Sequence, residues 1–268
     1  MQQLFHTLNG RDRLLRLVQY LARYLALRGH SKDAPLLGVS PAQWSQVASN
    51  ISFCRRVFFL GKFVDTWRAC LAEVLRILRL FRAFQAKTRP LTPDEHTLQL
   101  IDVVSRLLEV LKLVQLGLWL FCDTIQTVVD LGTFRLGFQA RLSLLSSRLW
   151  LSYLVTSLSQ QLFLRIFVNH QFFMRLKDAG QGAYTGHQFS PVDTLRNALD
   201  FPLPSQGLAG LLAREGSSNG SIPLGPDWRY IRGLDSVARL ISGAVGPRGV
   251  AACGIASSCV AVYQTLWP

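Results

Sequence analysis

Basic and large apolar side chains recur at helical spacing along residues 51–87, and this pattern suits contact with an anionic lipid surface. At 100° per residue, Cys70 and ten larger apolar side chains fall within an arc of about 160°. These ten are the candidate membrane-insertion residues: Phe59, Leu60, Phe63, Val64, Trp67, Leu71, Val74, Ile77, Leu78 and Phe81. The candidate phosphate-headgroup contacts lie on the opposite half: Lys62, Arg68, Arg76, Arg79 and Arg82. The same pattern also suits a helix docked on a protein core with its charges in water.

The sequence lacks the motifs typical of catalysis and of metal or cofactor binding. The sequence contains no Walker-type glycine loop, no G-x-G-x-x-G and no H-E-x-x-H. Its five histidines are isolated from one another, and its carboxylates are mostly solitary. We therefore predict a protein that is not an enzyme and that has no cofactor and no metal site.

The charge of the chain is concentrated in its first third. Residues 1–90 hold 15 of the 29 Lys and Arg residues but 4 of the 16 Asp and Glu residues. Such asymmetry indicates an anionic partner, either lipid headgroups or nucleic acid. The chain is 49% hydrophobic and only 17% charged, and the apolar arc suits lipid better. We therefore predict anionic membrane lipids as partners, and no nucleic acid.

The elements that would position these residues are helices, so the predicted fold class is an all-α, membrane-associated protein with long amphipathic helices. We predict four regions: a basic amphipathic region (1–90), an apolar helical hairpin (91–178), a flexible linker (179–228) and a C-terminal amphipathic helix with a membrane anchor (229–268). Ser40 followed by Pro41 predicts the start of a helix, or of a helix pair, that extends to residue 87. A short helix over 191–200 or 205–214 is compatible with the Gly- and Pro-rich linker.

The C-terminal region predicts a short amphipathic helix, capped by Asp235, and then an apolar helix after Gly246 and Pro247. Residues 249–267 carry no charge, and Tyr263 and Trp267 lie near their end. This pattern favours a transmembrane helix over a buried, Ala-rich core helix. A second span over about 149–168 is the alternative to docking of that segment against the preceding helix.

Four segments, in this order along the chain, resemble landmarks of the peroxisomal biogenesis factor 11 family. GRDRLLRLVQYLARYL (10–25) is similar to its opening signature, and SFCRRVFFLGKFVDTWRA (52–69) to its second, Arg-rich signature. In the second signature, Phe59 stands where the family usually has a basic residue. LGLWLFCDTIQTV (116–128) and RLSLLSSRLWLSYLV (141–155) resemble a Leu-Trp-Leu helix and a basic segment of the family.

The resemblance implies a peroxisomal membrane protein that promotes peroxisome proliferation and division. Members of the family insert an amphipathic helix, elongate the membrane, form homo-oligomers and recruit the fission machinery, including a dynamin-type GTPase. A metabolite pore has been proposed for some of them, and here it is the alternative function. The candidate pore-lining residues lie in the second half of the predicted hairpin: Ser143, Ser146, Ser147, Ser152, Thr156, Ser157, Gln160 and Gln161. A soluble helical bundle is the remaining alternative.

Overall fold

A computed structural model describes residues 8–28, 39–86, 93–132, 137–167, 190–217 and 229–266. The elements in these ranges are helices, without a strand, which confirms the predicted all-α class. They are α1 (Leu8–Arg28), α2 (Pro41–Phe58), α3 (Lys62–Ala86), α4 (Pro93–Asp130), α5 (Gln139–Phe167), α6 (Pro191–Asp200), α7 (Pro202–Ser217), α8 (Arg229–Ala244) and α9 (Pro247–Leu266).

The long helices α4 and α5 form an antiparallel pair at the centre of the fold. The Gln115 amide donates a hydrogen bond to the Ser152 hydroxyl at 2.8 Å, and the rings of Trp119 and Trp150 stack with centroids 5.4 Å apart. The fully buried side chains of α5 include Leu151, which belongs to a core cluster shared with α7 and α8. The pair lies within the region predicted as a hairpin, of which residues 91–92, 133–136 and 168–178 are outside the described ranges.

Helix α1 packs along α9, so the two ends of the described chain lie together. The Arg13 guanidinium donates to the Ala261 carbonyl at 2.7 Å, at one end of the contact. At its centre, a Cβ atom added to Gly254 would lie 2.5 Å from the ring of Tyr20. Glycine is therefore required at residue 254 for this close approach of the two helices.

The predicted helical run from residue 51 to residue 87 is interrupted by a turn, so of the two alternatives, a helix or a helix pair, the structure has the pair. Helix α2 begins at Pro41, as predicted, with Ser40 and Gln43 forming a capping box. It ends at Phe58, and α3 begins at Lys62 after a turn in which Gly61 has φ +80°. This left-handed backbone conformation is open to glycine and strained for other residues, which explains the break. Phe59 therefore lies in the turn and not on α3.

Part of the predicted flexible linker is helical and packed. Helices α6 and α7 occupy residues 191–217, and the side chain of Leu208 is fully buried. The Ser190 hydroxyl accepts a hydrogen bond from the Asp193 amide, and a proline begins each helix. Pro at the first helical position is preorganised for a helix, and α6 coincides with the short helix that we considered over 191–200. Residues 179–189 and 218–228 of the predicted linker lie outside the described ranges.

The C-terminal region contains the two predicted helices, but α8 begins earlier than expected. Asp235 lies inside α8 and not at its start, and both of its carboxylate oxygens accept from the Arg148 guanidinium, at 2.7 and 3.0 Å. Within the described ranges, none of the helices taken alone has the length and hydropathy needed to cross a membrane. One pair meets that test jointly, Gly233–Ala244 with Pro247–Gln264, and it is bent by 100°.

Candidate functional site

Helix α3, which carries most of the candidate lipid-contacting residues, packs along α4. Its buried side chains form a line at helical spacing: Thr66, Cys70, Glu73 and Ile77. Near one end of the contact, the ring of Phe63 meets that of Phe121 edge to face, with centroids 5.4 Å apart. The two helices are antiparallel, because residue 63 lies beside residue 121 while residue 73 lies beside residue 106.

A buried ion-pair network fixes α3 to α4. The Glu73 carboxylate accepts hydrogen bonds from Arg106 of α4 at 3.2 Å and from Arg76 of α3 at 2.8 Å. Arg106 is also paired with Asp102 at 3.0 Å, and its side chain is only 10% exposed. Removing one partner of such a pair leaves a buried charge uncompensated, so this network determines which side of α3 faces the protein.

The neighbouring side of α3 is apolar and exposed. Six large side chains on it are between 39% and 61% exposed: Val64, Trp67, Leu71, Leu75, Leu78 and Phe81. Counted at 100° per residue, the centre of this exposed stripe lies about 110° around the helix from the buried line. The predicted arc of about 160° is thus divided, with one edge on α4 and the other open.

Helix α4 carries a second exposed apolar stripe. Five of its large side chains are between 38% and 64% exposed: Leu100, Leu107, Leu111, Leu118 and Phe121. The centre of this stripe lies about 100° around α4 from the residues that face α3. Viewed along each helix from its N-terminus, the rotation from the contact line to the exposed stripe has the same direction on α4 as on α3. Because the helices are antiparallel, equal rotations in one sense place both stripes on the same side of the pair. We call these eleven residues the α3–α4 face.

Contacts across the helix interface support this placement. Trp67 lies over Gly117, where an added Cβ atom would be 3.2 Å from two indole atoms. Trp67 is nevertheless 39% exposed and Phe121 is 44% exposed, so both the contact and the open surface lie on this side. The absence of a side chain at Gly117 lets the indole bridge the two stripes. The α3–α4 face is therefore continuous across the pair.

The five predicted phosphate contacts differ in their surroundings. Arg79 and Arg82 are exposed, and neither has an ion-pair partner within the described ranges. Arg68 lies 3.8 Å from Asp65, and both side chains are more than 70% exposed. Such a surface pair contributes little and leaves the arginine available. Arg76 is already bound to Glu73, and the Lys62 ammonium lies 4.2 Å from the centroid of the Phe59 ring.

The predicted insertion residues are also divided by the structure. Ile77 is only 7% exposed and packs on the protein, whereas Phe63 and Val74 are partly covered. Leu75 and the α4 stripe belong to the exposed face but were not predicted. A signal for the α4 stripe existed, since residues 100, 107, 111, 118 and 121 follow one helical face. The strongly apolar composition of the segment obscured that signal.

The candidate pore-lining residues of α5 bond within the fold. Ser152 accepts from Gln115 of α4, and the Ser157 hydroxyl accepts from the Asn197 amide of α6 at 2.8 Å. The Gln160 carbonyl accepts from the Lys112 ammonium at 3.1 Å. These groups link helices to one another, so their arrangement does not favour a polar path through the protein.

Comparison with known proteins gives one family. The family model described as Peroxisomal biogenesis factor 11 (PEX11) matches residues 1–75 and 72–222, which is most of the chain. No curated protein and no solved structure matches the chain. The family is one of biogenesis factors and is not known as an enzyme family. The chain therefore belongs to the Peroxisomal biogenesis factor 11 family, with a peroxisomal location and a role in peroxisome biogenesis and proliferation.

Proposed function

We propose that this protein inserts its α3–α4 face into the cytosolic leaflet of the peroxisomal membrane and thereby bends and elongates it. The observation that carries the proposal is the continuous exposed apolar surface across two helices, with Arg79 and Arg82 beside it. Contiguous apolar surfaces of this kind mark sites of contact with a membrane or with another protein. An amphipathic surface flanked by arginines suits the boundary between lipid headgroups and acyl chains.

The size of the face supports stable binding without a lipid anchor. Complete burial of a large apolar side chain contributes about 1.5–3 kcal/mol, so each half-exposed side chain contributes about 1 kcal/mol on insertion. The eleven side chains together contribute about 10 kcal/mol before the loss of translational freedom is subtracted. Each basic residue near an anionic surface adds about 1 kcal/mol.

Bending would follow from the side on which the protein inserts. A face that enters only one leaflet to a depth of about 5–10 Å expands that leaflet relative to the other. The membrane relieves this mismatch by bending, so that the leaflet that holds the protein lies on the convex side. Division of the elongated organelle, with recruitment of a dynamin-type GTPase, is the later step that we propose on the basis of the family resemblance.

The test uses full-length protein and vesicles that contain anionic phospholipid. We expect Leu71→Glu with Leu78→Glu to lower vesicle partitioning at least about 100-fold, because two apolar contacts are lost and two charges are brought to the lipid. Flotation measures the partitioning, and electron microscopy of the same vesicles measures tubulation. Leu195→Glu with Leu240→Glu is the matched control, since these leucines of α6 and α8 are also exposed but lie off the face.

Equal flotation and tubulation by both double variants would overturn the proposal. Sedimentation of the variants in detergent distinguishes lipid from a second copy of the chain as the occupant of the face. If Leu71→Glu with Leu78→Glu converts an oligomer to a monomer and leaves flotation unchanged, then the face is an interface between copies.

A further inference from the structure

A cavity of about 370 Å³ lies where α1, α2, α4, α5 and α6 meet, away from the α3–α4 face. Five arginines line it: Arg16, Arg23, Arg55, Arg56 and Arg196. The acidic residues of its lining are Asp123 and Asp200. The arginines come from α1, α2 and α6, so the fold gathers positive charges that are far apart in the sequence.

Three of the five arginines have carboxylate partners. Arg16 is paired with Asp200, whose carboxylate also accepts a hydrogen bond from the Ser257 hydroxyl. Two more carboxylates, outside the lining, complete the pairs: Arg55 is bound to Asp12 at 2.7 Å, and Arg56 to Asp130 at 2.8 Å. These pairs hold the walls of the cavity together, and the charge of Asp200 is compensated by Arg16.

Arg23 and Arg196 have no carboxylate partner within the described ranges. The Arg23 guanidinium lies over the ring of Tyr20, 5.4 Å from its centroid. The Nε atom of Arg196 is buried and has no hydrogen-bond partner, and the same is true of the Nε atom of Arg56. A buried donor without a partner is destabilising, so two positions in this lining are suited to an additional acceptor.

Asp123 does not balance this positive charge fully. Its burial raises the pKa of the carboxyl, although Arg56 and Arg55 act in the opposite direction. Even with Asp123 fully charged, the five arginines of the lining face four carboxylates: Asp123 and Asp200 within it, and Asp12 and Asp130 outside it. The lining therefore carries an excess of positive charge that an anion would neutralise.

The rest of the lining is aromatic and apolar. It includes the stacked pair of Trp119 and Trp150, with Tyr153 and Leu154 beside them. Binding sites for small organic molecules combine such walls with a few polar groups. The cavity therefore suits a ligand with an organic part as well as a charge, and its volume is within the range of small-molecule sites.

We propose that this cavity binds a phosphate monoester through Arg23 and Arg196. An arginine binds a phosphate with two parallel hydrogen bonds, and a phosphate monoester carries up to two negative charges at neutral pH. The organic group of the ester then lies against the aromatic wall. A lipid headgroup and a soluble organic phosphate share this chemistry, so both are used as probes.

Isothermal titration calorimetry of the full-length chain in mild detergent tests the site. The probes are glycerol 3-phosphate and a short-chain phosphatidic acid. We expect both Arg196→Gln and Arg23→Gln to raise the dissociation constant of the bound probe at least about tenfold. Arg239→Gln removes an exposed arginine of α8 and should change the constant less than about twofold. Circular dichroism verifies that each variant is folded.

The comparison of the two probes identifies the source of the phosphate. Tighter binding of the phosphatidic acid assigns the cavity to a lipid headgroup, and equal binding assigns it to the phosphate ester itself. Leu71→Glu with Leu78→Glu should leave the affinity for glycerol 3-phosphate unchanged, so failure of the α3–α4 proposal does not affect this one. The inference is overturned if neither probe binds, or if Arg196→Gln and Arg239→Gln have equal effects.

Discussion

Helices α3 and α9 both had sequence patterns that indicated a membrane, but they sit differently in the fold. Residues 249–267 carry no charge, and yet α9 packs against α1, α6 and α7. Of the large apolar side chains of α9 whose burial the structure describes, Tyr263 is the clearly exposed one. Helix α3 carries several arginines but exposes six large apolar side chains.

The difference between α3 and α9 follows from the size of their side chains. Apart from Val250, the buried positions of α9 are small: Ala251, Gly254, Ser257, Ser258 and Ala261. Small residues let another helix approach closely, and here that helix is α1. The exposed apolar side chains of α3 are large, and they remain between 39% and 61% exposed beside the contact with α4. The size of the side chains, and not the length of an uncharged run, therefore separates the exposed apolar surface of α3 from the packed surface of α9.

The largest effect should come from the contact that holds α3 to the protein. We expect Glu73→Ala to lower the free energy of unfolding by about 3 kcal/mol, since Arg106 stays buried with only Asp102 as its partner. Denaturant titration of the full-length chain in detergent measures the change. Asp65→Ala removes an exposed carboxylate of the same helix and should change it by less than about 0.5 kcal/mol. Equal losses would show that α3 is not held by this network.

The second prediction concerns the free energy of unfolding, and it distinguishes packing of α9 against α1 from a position of α9 in lipid. Gly254→Ala introduces a Cβ atom 2.5 Å from the ring of Tyr20, so we expect a loss of about 1–3 kcal/mol in unfolding free energy. Gly233→Ala in α8 adds a methyl group where no atom lies within 4 Å, and it should be neutral or stabilising by up to about 1 kcal/mol. A neutral Gly254→Ala would mean that α9 and α1 separate in the membrane.

The effect that salt should reduce to the smallest value concerns the two arginines beside the exposed stripe. We expect Arg79→Gln with Arg82→Gln to weaken vesicle binding by about 2 kcal/mol, or roughly 30-fold, at low ionic strength. Charges near the surface are screened by salt, so the loss should shrink in about 1 M salt. Flotation at both ionic strengths measures it, with Arg141→Gln and Arg239→Gln as a charge-matched control. A loss that is independent of salt would contradict an electrostatic role.

Local sequence signals predicted the helices well where capping and apolar periodicity agreed. The helix start at Ser40 and Pro41 and the break at Gly246 and Pro247 both appear in the structure. A helix pair up to residue 87 was one alternative, but the position of its break at Gly61 was not predicted, because apolar periodicity continues through it. Periodicity does not report a single residue in the left-handed conformation, which interrupts a helix while preserving its pattern on both sides.

The cavity was beyond sequence reasoning because its lining is assembled by tertiary contacts. Arg23 and Arg196 are 173 positions apart, and the region around Arg196 was predicted as part of a linker. The division of the α3 arc was equally hidden, since Glu73 is an ordinary helix residue until Arg106 is placed beside it. Charge and hydropathy patterns along one helix predict that it is amphipathic. They do not predict which neighbouring helix covers each side of its apolar arc.

The bond between Glu73 and Arg106 also determines how α3 could move. A solitary amphipathic helix on a bilayer can roll about its long axis until its own charges and lipids are satisfied. Helix α3 is fixed to α4 and cannot roll independently, so the pair would enter as a plate about 37 Å long and roughly 18 Å wide. The depth to which the pair inserts is then set by the protein, and it would be the same in membranes of different lipid composition.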